Sequence, residues 1–224
     1  MAAKTAAATK VTDGPVELRR LARANVIVPI RGITPYISHA WSEKSINMMR
    51  QKVESEAMKA TARKPPKNPE EEYEATIYRL PDLSPGIPSN AFKAAIVSAA
   101  RLFDGVTMAA LKTMLFVHGE GPNQLVRLRK SNSPDIPMST MRVDTPRNTS
   151  GTCDVRYRAM FEDWGCDLQI EFLPSLISID SVVSLVEAAG DGGVGDWRPS
   201  APQAKSGTFG RFRVDTSNVQ EVAG

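Results

Sequence analysis

The stretch AAGDGGVGDWRPSAPQAKSGTFGRF, Ala188 to Phe212, sets six glycines in 25 residues between a segment patterned as a helix and one patterned as a strand. Ahead of it, Ile179 to Ala189 (IDSVVSLVEAA) reads as a final helix, with Asp180 or Ser178 as its cap and Gly190 as its stop. Behind it, GTFGRFRV reads as a closing strand. The run Gly190-Asp191-Gly192-Gly193-Val194-Gly195 spells G-x-G-x-x-G, but a dinucleotide fingerprint needs a strand before the glycines and a helix after them. Here a helix precedes and Trp197-Arg198-Pro199 follows, so a doubly wound nucleotide fold is excluded. A Walker loop fails too, because no glycine immediately precedes Lys205-Ser206. Two readings stay open: a loop whose backbone N–H groups meet an anion, or a surface loop with Trp197 and Phe212 in the core.

Working outward, Asn25 to Ser38 (NVIVPIRGITPYIS) has the β-branched content of a first strand, with a bulge or bend at Gly32 and Pro35. Trp41 to Glu54 reads as an amphipathic helix, capped by Ser42, with Ile46, Met49 and Val53 on one face. Residues 55–72 are polar and rich in lysine and proline, as an exposed arm would be. EYEATIYRL reads as a short strand. AFKAAIVSAARLF reads as a helix capped by Ser89 or Asn90, with Phe92, Ile96, Ala99 and Phe103 at helical spacing. TMAALKTMLF is a second short helix capped by Thr107. Strands FVHGE, QLVRLRK, DVRYRAMF and CDLQIEFL follow, with a loop around NSPDIPMSTMRV. Helices and strands alternate irregularly, which makes the class α+β and not a parallel α/β sheet.

The length of 224 residues, 42% hydrophobic and 24% charged, fits one domain over residues 25–214, with flexible tails at 1–24 and 215–224. No apolar run approaches the ~20 residues of a membrane-spanning helix, and the amino end lacks the apolar centre of a secretory signal. Cys153 and Cys166 are expected as free thiols of a reducing interior. With only His39 and His118 beside them they form no zinc spacing, and no cofactor motif is present. Charge is polarised: residues 1–67 hold 13 Lys/Arg against 5 Asp/Glu, residues 131–196 hold 4 against 11. Such asymmetry suits a polyanion ligand or head-to-tail contact between copies. It equally suits a basic arm beside a solvated face.

No nucleophile elbow, zincin motif or paired carboxylates appear, so nothing specific argues for an enzyme. Trp197 and Arg198 after the glycines, and Phe209, Arg211 and Phe212 on the closing strand, combine rings that stack on bases with cations that track phosphates. In DVRYRAM, Val155, Tyr157 and Ala159 alternate with Arg156 and Arg158. That pattern is either an arginine-bearing face for phosphates or an ordinary half-exposed strand. His39, at a strand-to-helix junction, reads as a structural residue.

Taken together, HAWSEK, PKNPEEEYEATIYR, GIPSNAFKAAIVSAAR and GVGDWRPSAPQAKSGTFGRF resemble a family of proteins encoded by tailed bacteriophages and prophages, over most of residues 25–214. A proline-glycine loop entering an alanine-rich helix (Pro85 to Arg101), and a glycine-rich loop between a late helix and a closing strand, are similar to the RAMP superfamily, which includes backbone subunits of CRISPR effector complexes. That resemblance implies a modified ferredoxin-like, RNA-recognition-type core, here with inserted loops and a basic arm, and a non-enzymatic subunit that polymerises along a strand. It reaches only Gly190 to Gly195 and Phe92 to Arg101. The aspartate loop that gives some such subunits cleavage activity has no counterpart, so that activity is not implied.

The expectation is therefore a protein of the host cytoplasm that binds single-stranded DNA or RNA and assembles with itself as a filament or ring. It would serve phage recombination, replication or interference with host CRISPR complexes. Arg198, Arg211, Lys93 and Arg101 would meet phosphates, Trp197 and Phe209 would stack on bases, and Gly192, Gly193, Gly195, Arg156 and Arg158 would border the strand. The alternative is a phage structural or assembly protein whose charge asymmetry serves subunit contacts only.

Overall fold

β1 (Ala24–Gly32) is the strand on which the molecule is built. Its alternation puts Val26, Val28 and Ile30 on one face, all fully buried, as a period of two requires. The computed structural model describes residues 20–41, 46–47, 50, 68–146, 151, 153–201 and 207–222. After β1 come β2 (Tyr36–Ile37), α1 (Pro69–Ala75), β3 (Gly86–Pro88), α2 (Ser89–Ala99), α3 (Met108–Met114), β4 (Leu115–His118) and β5 (Leu125–Arg127). Then follow β6 (Ser139–Asp144), β7 (Arg156–Phe161), β8 (Gly165–Phe172), α4 (Ile179–Gly192), β9 (Phe212–Val214) and β10 (Gln220–Val222).

All strand pairs are antiparallel. β1 pairs with β8 from Ala24↔Phe172 to Arg31↔Gly165, and β4 adds to the far edge of β8. On its other edge β1 pairs with β10 at Asn25 to Ile27 and with β9 at Ile30 to Gly32. The main sheet thus has five strands; β2, β7 and β6 form a second sheet, and β3 with β5 a third. Cys166, Leu168, Ile170 and Phe172 of β8 join the β1 residues in one core with Phe92 and Ile96 of α2 and Val182, Leu185 and Val186 of α4. Two buried ring contacts close it: Phe212 meets Phe92 edge-on at 6.0 Å and Trp164 at 6.3 Å. Trp164 donates its indole N–H to the Thr34 carbonyl at 2.8 Å. A Cβ at Gly32 would stand 2.2 Å from that nitrogen, so the glycine at the end of β1 makes room for the ring.

The mixed α+β class holds, and several local expectations change. EYEATIYRL is not a strand: Pro69–Ala75 is a helix, with the Asn68 side chain accepting from Glu70 N–H, proline at its start and Glu70, Glu71 and Glu72 in its first turn. These are strong start signals, and they outweigh the β-branched residues behind them. α2 begins at Ser89 itself with no side-chain cap, and it ends at Ala99 in a 3₁₀ turn, Ala100–Leu102. Phe103 therefore lies beyond the helix and is 39% exposed. The segment Ser139–Asp144, expected within a loop, is a strand because β7 offers it a partner edge.

Gly190 does not stop α4. The helix runs on to Gly192 and closes at Gly193, whose φ is +68°, a conformation glycine enters without cost. In place of the tail expected from residue 215, Gln220–Val222 lies along β1. The helix expected over Trp41 to Glu54 falls mostly outside the described residues, with Ile46, Asn47 and Arg50 helical, and so does most of the arm at 55–72. Cys153 and Cys166 are both free. Among the described residues no helix is long and apolar enough to cross a membrane, and no group of three metal-ligating side chains gathers.

Gly190 is needed for close approach: a Cβ there would stand 2.1 Å from the Phe212 carbonyl oxygen. Gly190→Ala is expected to lower stability by about 1–3 kcal/mol, although alanine is the better helix former. The midpoint of urea unfolding checks this.

Candidate functional site

The loop leaving α4 is threaded between two other pieces of backbone. Val194 N–H donates to the Gly210 carbonyl at 3.0 Å, Asp196 N–H to the Ile37 carbonyl at 3.0 Å, and Gly210 N–H to the Pro35 carbonyl at 2.8 Å. A Cβ on Gly195 would meet the Tyr36 ring at 2.5 Å, and one on Gly210 would meet the Val194 carbonyl at 1.8 Å. The glycines thus let the chain approach itself. The N–H groups of Gly193, Val194 and Asp196 bond within the protein, so these three are not donors held open for an anion.

Between this loop and α2 lies a cleft of about 400 Å³. Asn90, Ala91, Ala94 and Ser98 of α2 line it together with Gly193, Gly195, Asp196 and Arg198 of the loop, and His39 and Tyr78 line it too. α2 can border an open cleft because its lining residues are short, while its Phe92 and Ile96 are buried in the core. Arg198 is anchored by donation from Nη1 to the Gly195 carbonyl at 2.8 Å, and no carboxylate pairs with it among the described residues. His39 is stacked on Trp41 with the ring centroids 6.4 Å apart and the planes 9° from parallel. Trp41 is 60% exposed, an unusual state for a large ring.

Charge under the cleft is organised by Arg158. Its side chain is 3% exposed and bridges Asp196 Oδ2 at 2.8 Å and Asp144 Oδ2 at 3.3 Å. Asp144 also takes Arg142 at 3.0 Å, and the Arg142 guanidinium lies 4.7 Å from the centre of the Phe209 ring. Asp196 Oδ2 meets His39 Nδ1 at 3.1 Å. Burial acts to raise the Asp196 carboxyl, and the close His39 imidazole and the Arg158 charge outweigh it, holding the group below the usual carboxylate range.

Of the residues singled out from the sequence, Gly193, Gly195 and Arg198 come together at the cleft, and Gly192 ends the helix just before it. Arg158 is not on a solvent-facing sheet surface; it is buried as a structural ion-pair centre. Arg156, its neighbour but one, pairs with Asp154 at 3.5 Å. Arg211 is held by Asp191 at 2.7 Å. Trp197 takes a positive φ of +55°, and its indole N–H is buried without a hydrogen-bond partner among the described residues. Phe209 is covered by Arg142. Lys93 lies against Phe116 at 4.0 Å and donates to the Lys112 carbonyl, while Arg101 Nε contacts Met108 Sδ; neither lines the cleft. The sequence reading missed His39 and Trp41 as a pair. The spacing His-x-Trp on an extended segment, which puts both side chains on one side, was the available signal.

No family model matches the sequence, and a search of curated proteins finds no match. Among solved structures the chain is similar to a chain in the cryo-EM structure of the Type III-B Cmr-beta bound to cognate target RNA, at 11% identity and a TM-score of 0.49. That likeness covers 89% of this chain and 61% of the other, so this chain spans about three fifths of its length. It is also similar to Cmr6 from Pyrococcus furiosus, at 11% identity and a TM-score of 0.41, over 87% of this chain and 100% of that one.

Removing the centre of the charge network leaves two carboxylates facing each other in a half-buried site. Arg158→Met is expected to cost about 3 kcal/mol, and adding Asp196→Asn to recover part of it. Arg211→Ala, which breaks an exposed pair, is expected to cost under about 1 kcal/mol. Urea unfolding of the three variants checks the order.

Proposed function

We propose that this protein is a binding protein for single-stranded nucleic acid, holding one strand along the cleft between the glycine loop and α2. The observation that carries the reading is the exposed, parallel His39–Trp41 stack beside a cleft whose Arg198 has no carboxylate partner among the described residues. Exposed rings offer a π-face to any base, and an unpaired guanidinium offers two donors to a phosphate. The role is binding and not catalysis. Trp41 takes the stacking part that the sequence suggested for Trp197, while Arg198 keeps its part as a phosphate contact.

The core would be a modified ferredoxin-like one. Its order of β9 and β10, then β1, β8 and β4, with α2 between β1 and β4 in the chain and α4 between β8 and β9, is the order such a core takes. Copies would assemble along the strand, and the work would be phage recombination, replication or interference with host CRISPR complexes. A second reading, a phage assembly protein, is favoured by the apolar side chains exposed on and beside the edge strand β6, with Met138 86% exposed. It requires oligomers that form regardless of nucleic acid.

Fluorescence anisotropy of labelled single-stranded RNA and DNA across a salt series tests the proposal. Affinity is expected to fall steeply with salt, and Trp41→Ala and Arg198→Ala are each expected to weaken binding about tenfold or more. Arg211→Ala, whose guanidinium Asp191 already holds, weakens it less. Flat anisotropy with both polymers would sink the proposal and leave the assembly reading.

A further inference from the structure

His39 is placed as no ordinary structural histidine would need to be. Nδ1 faces Asp196, one face of the ring is stacked against Trp41, and the residue lines the cleft that holds Arg198. A carboxylate at Nδ1 fixes the proton on that nitrogen and leaves Nε2 as the variable one. Neutral, Nε2 is an acceptor that repels a phosphate oxygen; protonated, it is a charged donor.

We infer that His39 is a proton-gated phosphate contact, so that strand binding in the cleft tightens as the imidazole takes up its second proton. This rests on the cleft holding a nucleic-acid strand. The surrounding charges allow such a switch to be read. Asp196 faces His39 from the glycine loop, and its charge is balanced from below by Arg158 of β7. Tyr78 donates its hydroxyl to the His39 backbone carbonyl at 3.2 Å, and Tyr36 of β2 is a buried phenol whose burial pushes its titration far up. Among the described residues that line the cleft, Arg198 is the other cation. Among these groups the imidazole is the only type whose ordinary titration falls between about pH 5 and pH 8. Asp196, held low, stays ionised throughout that window and keeps the ring oriented.

The sign follows from the charge. One positive charge and one donor are added as pH falls, so affinity for a polyanion rises. With a labelled oligouridylate of about 15 nucleotides, binding is expected to be about tenfold tighter at about pH 5.5 than at about pH 8. His39→Gln, which can still donate to Asp196 but cannot titrate, is expected to bind with little dependence on pH. His118→Gln, on β4 at the separate pair with Glu171 of β8, is expected to keep the dependence. Binding of equal strength at both pH values overturns the inference while leaving the cleft reading intact; absence of binding at both pH values overturns both. Should His39→Gln fail to fold, Trp41 emission, taken as the difference between the wild-type protein and Trp41→Phe, decides. It is expected to fall as the stacked imidazole is protonated in the free protein, and an unchanged emission over that range overturns the gate.

Discussion

The close passage of the glycine loop against two other backbone segments is the constraint on which the rest of the structure depends. Residues 193–196 run between the Pro35–Ile37 segment and the chain at Gly210, linked by three backbone hydrogen bonds. At Gly195 and Gly210 a side chain would overlap a ring or a carbonyl. This junction ties the end of α4 to the start of β9, carries β2 and hence the second sheet, and fixes where Asp196 and Arg198 emerge. Buried backbone polar groups must find partners, and here they find them in each other. The loop is therefore a rigid rim for the cleft beside it.

The buried guanidinium of Arg158 is the electrostatic counterpart of that junction. Two carboxylates from different parts of the chain, Asp144 on β6 and Asp196 on the loop, converge on it. An ion pair so deep gains little net stability over an apolar core, since desolvation offsets most of the attraction. What it does achieve is direction. Asp196 is held ionised and aimed at His39, and His39 carries Trp41 on its ring. A chain of contacts thus runs from the interior of the second sheet to an exposed aromatic surface.

Much of the frame was legible in the residues. The alternation in β1 and β8, the Thr107 cap of α3 and the Ser178 cap of α4 are local signals, and each element stands where they point. The misreadings have local causes too. At Asn68-Pro69-Glu70 the cap and the acidic first turn lie in a stretch with the composition of an arm, and the β-branched residues behind them carry the pattern of a strand. At Gly190 a glycine required for contact with Phe212 looks in the sequence like one required for a turn, and sequence alone does not distinguish the two uses. Likewise, strand alternation placed Arg156 and Arg158 together on one side of β7, yet only the arrival of Asp144 and Asp196 decided that Arg158 is buried.

The sequence by itself determined the class of fold, the position of the glycine-rich junction and the presence of aromatic and cationic residues near it, because these follow from periodicity, capping and composition within short windows. Tertiary structure alone decided which of those residues share a site. Trp197 has its ring N–H buried in the protein and Arg211 is held by Asp191, whereas Arg198 and His39 line one cleft across some 160 residues of intervening chain. Contacts of that separation depend on strand pairing and on where a carboxylate finds its partner, and no local pattern encodes either.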